Sequence, residues 1–182
     1  MRNTVQEPVT AAPVVSDGPV VRSLAARRAL AVLRIMFGFY FLWAFLDKTF
    51  GLGFSTPAER AWVNGGSPTR GFLSGVEGPF AGIYNAIAGN ALIDILFMVG
   101  LLGIGLALIL GIGMRVAAVS GSILYVLMWT AALPMTTNPI LDDHITGAMT
   151  LIVLALTAAG TTWGLGSWWA GRPVVQKNRW LI

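Results

Sequence analysis

Residues 29–50, ALAVLRIMFGFYFLWAFLDKTF, are apolar and long enough to cross a bilayer, yet they hold Arg34 inside and Asp47 and Lys48 at the far end. A spanning helix needs about 20 apolar residues, and an ionisable group within one is costly unless it has a partner or a task. Three further segments, 92–110, 116–133 and 145–165, are close to the length of a crossing. Pro134 and Pro139 stop the third and shape the turn after it, because proline cannot continue a helix interior. The pattern predicts an all-α fold, an integral membrane four-helix bundle surrounded by lipid.

Composition agrees with that class and narrows the chemistry. Of 182 residues, 55% are hydrophobic and 11% charged, with a mean hydropathy of +0.73, against about 25% charged in soluble domains. Cysteine is absent, which removes dithiol redox chemistry, thiolate metal sites, iron–sulfur clusters and disulfides. A lone histidine, His144, excludes bis-histidine haem within one chain, and no metal site is expected. The net charge of +4 does not point to nucleic acid, because the basic residues are scattered and no basic face is interleaved with stacking aromatics.

Lysine and arginine set the orientation. With the N-terminus inside, the cytoplasmic side receives Arg2, Arg22, Arg27, Arg28, Arg115, Arg172, Lys177 and Arg179, and the outer side only Lys48, Arg60 and Arg70. That imbalance places both termini in the cytoplasm of a multi-pass protein of the cell membrane. Residues 1–28 then read as a cytoplasmic tail, disordered over 1–17 and basic over 22–28; 29–165 form the membrane domain and 166–182 a second cytoplasmic tail. The outer loop between the first two helices, 51–90, is long for a helix bundle and rich in glycine and aromatic residues. It reads either as a lid or as a structural cap on the outer mouth.

Antiparallel helices bring Asp47, Lys48, Asp94, Asp142, Asp143 and His144 to the outer side, with Trp129 nearby. Lys48 and Asp94 are expected to pair, either as a lock between helices one and two or as part of a site with His144 that handles protons. Asp47, Trp129, Asp142 and Asp143 would line it, and Asp142 or Asp143 also suits the N-cap of the last helix. Arg34 is read as snorkelling to the inner headgroups, the alternative being a partner inside the bundle, Tyr125 or carbonyls of helix two. The glycines Gly100, Gly103, Gly105, Gly111 and Gly113 allow close helix approach or leave room for a flat ligand. Trp43 and Trp129 could face such a pocket or simply pack.

The segments VLRIMFGFYFLWAFLDKTFG and LLGIGLALILGIGMRVAAVSG together resemble the DoxX family of small four-helix membrane proteins. The matching positions are Arg34, Gly38, Lys48 and Gly51, then Gly103, Gly105, Gly111 and Arg115. The resemblance implies a subunit of a quinone-linked oxidoreductase acting on thiosulfate or a similar reduced sulfur anion. Quinone would be the cofactor, Lys48, Asp94 and His144 the reacting groups, and a membrane-associated redox protein the partner. The alternative is a non-enzymatic membrane anchor for soluble redox or oxidative-stress proteins. A small transporter would need a homo-oligomer, since four helices alone form no pathway and no internal repeat is visible.

Overall fold

Asn90 opens the second long helix by accepting the Leu92 and Ile93 amides on its side chain (2.9 and 3.4 Å), and Gly111 closes it in the left-handed region at φ 66–72°, as Gly51 closes the first. A computed structural model describes residues 20–136, 138 and 140–182; the expected tail over 1–17 and the turn at Pro139 lie outside the described residues. Helices α1 (Leu24–Phe50), α2 (Arg70–Leu73), α3 (Ala81–Ile87), α4 (Ala91–Leu110), α5 (Met114–Ala131), α6 (Asp143–Leu156), α7 (Gly166–Ala170) and α8 (Pro173–Lys177) are joined by turns, with no strand among the described residues. Three of them, α1, α4 and α5, are long and apolar enough to cross a membrane.

The four longest helices pack in sequence, α1 on α4, α4 on α5 and α5 on α6, and α6 returns to α1. Their shared core is Phe41, Met98, Leu101, Leu108, Leu151 and Leu154. Met36, Val99, Val119 and Leu156 are each more than 60% exposed, so the outward faces of the helices are as apolar as the inward ones, which suits lipid rather than water.

Two expectations need correction. The basic flank is helical: α1 begins at Leu24, capped by Ser23, whose hydroxyl accepts the Ala26 amide at 3.4 Å. The fourth segment does not run to Leu165 as a helix. α6 ends at Leu156 after 14 residues, about 21 Å of rise against a hydrocarbon thickness of about 30 Å.

Arg34 accounts for the stop. Its side chain is fully buried and does not snorkel. Nη1 donates to the carbonyls of Leu108 and Ile109 at the end of α4, and Nη2 to those of Thr162 and Trp163 (3.3 and 2.9 Å). To present the last two carbonyls the chain leaves α6 through left-handed conformations at Ala158 and Trp163 (φ 52° and 51°), each a cost for a residue with a Cβ. Thus the second reading of Arg34, a partner among helix-two carbonyls, is the observed one.

The 166–182 segment is packed rather than a free tail. The Arg115 amide donates to the Ile182 carbonyl (2.9 Å), Trp169 Nε1 to that of Leu181 (2.7 Å), and Val175 is fully buried.

Candidate functional site

The residues expected to form one outer cluster are divided among three separate structures. Asp47, in the last turn of α1, is buried and faces the loop: its carboxylate accepts the amides of Phe54 (3.2 Å) and Ser55 (3.1 Å) and the Ser55 hydroxyl (2.7 Å). Asp94, in the first turn of α4, does the same further along. Its Oδ1 accepts the Ser67 hydroxyl (3.0 Å), the Thr69 amide (3.1 Å) and the Thr69 hydroxyl (2.6 Å). Short hydroxyl and amide donors satisfy a buried carboxylate without the desolvation of a cation.

The expected Lys48–Asp94 ion pair is accordingly not formed. Among the described residues the one ion pair joins His144 and Asp142, and Lys48 is half-buried with neither an ion pair nor a hydrogen bond. The two carboxylates instead hold the 51–90 segment against the helix ends, and Tyr84 adds a third tie through its hydroxyl to Thr130 Oγ1 (2.6 Å) and the Leu127 carbonyl (2.9 Å). Between the ties the loop forms short helices and turns, burying Ala61, Leu73 and Val76.

Asp142 and His144 make the third structure. Asp142 caps α6, its Oδ1 accepting the amides of His144 and Ile145 (3.1 Å each), while its Oδ2 meets His144 Nδ1 at 2.6 Å. A carboxylate on Nδ1 fixes the ring and leaves Nε2 as its reactive end; Nε2 makes no hydrogen bond among the described residues. The ring lies edge-on to Tyr125 (centroids 6.2 Å apart), which in turn meets Phe41 of α1 edge-on at 5.4 Å. Gly147 is what lets Tyr125 sit there, since a Cβ would fall 2.7 Å from the ring.

Asp143 brings a ligand atom within 4.8 Å of those of Asp142 and His144. Both Asp142 oxygens are already engaged in the cap of α6 and in the contact with His144. Trp129 Nε1 holds the connecting turn at the Ile140 carbonyl (3.0 Å). Trp43 rests edge-on against Phe54 at 5.0 Å.

Burial raises the Asp142 carboxyl, but the hydrogen bonds from His144 and Ile145 and the charge of His144 outweigh it and hold the group below the usual carboxylate range. A depressed native pKa adds stability that is complete above the unfolded value of about 3.9 and is lost as pH falls through the native one. Asp142→Ala is expected to cost about 1 kcal/mol at neutral pH. In detergent, its melting temperature should converge on that of the unmodified chain as pH drops below about 4; a constant gap down to pH 2 would assign the stability to another group.

The dyad was half-legible: Asp142 was recognisable as a cap, and the spacing to His144 placed the two together. The two loop clamps were missed, because nothing local in the sequence marks Ser55, Ser67 and Thr69 as donors to carboxylates on the helices. No protein-family model, curated protein or solved structure matches this chain.

Proposed function

We propose that the chain is a multi-pass protein of the cell membrane, DoxX-like, with four helices in the membrane domain, both termini cytoplasmic and the 51–90 segment outside. It serves as a quinone-linked oxidoreductase subunit for thiosulfate or a similar reduced sulfur anion. The Asp142–His144 pair supports this reading: a histidine oriented at 2.6 Å by a carboxylate, with Nε2 free, suits the supply of protons that quinone reduction consumes. Lys48, without an ion pair among the described residues, suits attraction of the anion. With no cysteine and a single histidine to ligate a redox centre, the chain relies on a membrane-associated redox partner to pass electrons from the oxidised sulfur anion to quinone.

The test is thiosulfate-dependent quinone reduction in membranes with and without the chain. His144→Gln is expected to lower the chain-dependent rate about a hundredfold. Asp94→Asn should act only through the loop, so a lost rate with an unchanged proteolytic pattern over 51–90 would return Asp94 to the chemistry.

Absence of any chain-dependent rate would favour the second reading, a non-enzymatic anchor or scaffold. That reading draws on the clamped outer segment, from which Phe54, Val63 and Ile83 stand more than 60% exposed.

A further inference from the structure

A well-formed cavity lies away from the acidic cluster. It is a groove of about 670 Å³ along α5 and α6 at the opposite end, a volume within the range of ordinary ligand sites. Ala118, Val119 and Ser122 of α5 form one wall, Ile152 and Leu156 of α6 the other, and Trp169 closes the floor. Met114 to Ile123 on the α5 wall span about 13 Å of helix rise, a depth suited to a stretch of hydrocarbon chain.

The charged side chains described around the rim are all basic. Arg115 lines the groove, and one of its guanidinium nitrogens donates to the Arg179 carbonyl at 3.1 Å, its one side-chain hydrogen bond among the described residues. Arg22, Arg27, Arg28, Arg172, Lys177 and Arg179 share this end of the molecule. Among the described residues every carboxylate side chain lies at the other end: Asp47, Glu59, Glu77, Asp94, Asp142 and Asp143. Arg172 stacks over the Trp168 ring at 3.9 Å, an arrangement common at the headgroup level of a membrane.

We infer that this groove binds an anionic phospholipid, one acyl chain lying between α5 and α6 and the phosphate on Arg115. The occupant follows from the two halves together. An apolar trough open toward the bilayer takes hydrocarbon, and a rim whose described side-chain charges are all cationic selects a head group of net negative charge over a zwitterionic one. An uncharged isoprenoid ligand would gain nothing from that rim. The inference rests on the membrane placement proposed above but not on the redox chemistry.

Native mass spectrometry of the full chain, released from mixed phosphatidylglycerol and phosphatidylcholine, tests it. One phosphatidylglycerol should be retained per chain in preference to phosphatidylcholine, and Arg115→Gln should lower that retention about fivefold, the share of one cation near an anionic surface. Val119→Trp, at a position 63% exposed in the groove wall, should expel both lipids while leaving the melting temperature in lipid-free detergent unchanged. If Arg115→Gln fails to fold, Arg172→Gln serves as the charge variant. Equal retention of the two lipids would overturn the inference, as would a charge variant indistinguishable from the unmodified chain or displacement by a neutral quinone analogue at unchanged affinity in that variant.

Discussion

Arg34→Met is expected to destabilise the protein by about 4 kcal/mol or more, the largest loss of any single substitution considered. The methionine keeps much of the length and apolar stem but strips the hydrogen bonds to Leu108, Ile109, Thr162 and Trp163. Hydrogen bonds to a charged group are worth about 1.5–3 kcal/mol each, and the abandoned carbonyls lie where water is scarce. Arg34→Lys should recover less than half, because one ammonium cannot reach both carbonyl pairs that the planar fork bridges. Unfolding in mixed detergent micelles measures the loss, and proteolysis within 157–165 should appear in the same variants. A Met variant as stable as the unmodified chain would show that those carbonyls have other partners.

Gly105→Leu is expected to cost about 3 kcal/mol, through backbone rather than side-chain conflict. A Cβ on Gly105 would stand 2.9 Å from the Leu42 amide nitrogen and 3.1 Å from the Gly38 carbonyl oxygen, and one on Gly38 would meet the Ile109 nitrogen at 2.9 Å. Neither helix can yield by rotating a side chain, so α1 and α4 must part and open the core around Phe41 and Met98. Gly103→Leu is the control. It lies on the same helix with no atom within 4 Å of its Cβ, and it should leave stability within about 0.5 kcal/mol of the original. Equal effects at both positions would mean that helix propensity, not close approach, decides.

Those two glycines show how much of the molecule was legible in the sequence. Hydropathy alone located the long helices to within a few residues, because a lipid-facing helix is apolar on all sides and leaves an unbroken run. It could not say which glycine of α4 sits at the crossing: Gly100, Gly103 and Gly105 are alike in sequence, and only Gly105 faces Gly38. Hydropathy also overran α6. The residues after Leu156 are apolar enough to continue a helix, and what unwinds them is a guanidinium more than a hundred positions away. Asp47 and Asp94 find their partners in Ser55, Ser67 and Thr69 of the intervening loop rather than in Lys48. Charge pairing is easily imagined from a sequence, whereas hydroxyl donors brought in by a loop depend on a path that only the folded chain defines.

The reach of Arg34 also bears on how the chain comes to exist in its bilayer. Synthesis delivers α1 first, and its guanidinium meets the carbonyl of Trp163 only after 129 more residues have been made. Until Leu108 and Ile109 are made, 74 and 75 residues on, the first helix carries an ionised group with none of its final acceptors, and until Trp163 it has only part of them, which disfavours settling deep in hydrocarbon. Residence near a headgroup layer or within the insertion machinery satisfies that group in the interim. The turn at Thr162 and Trp163 is therefore the one that completes the partners of the first helix and lets it seat fully.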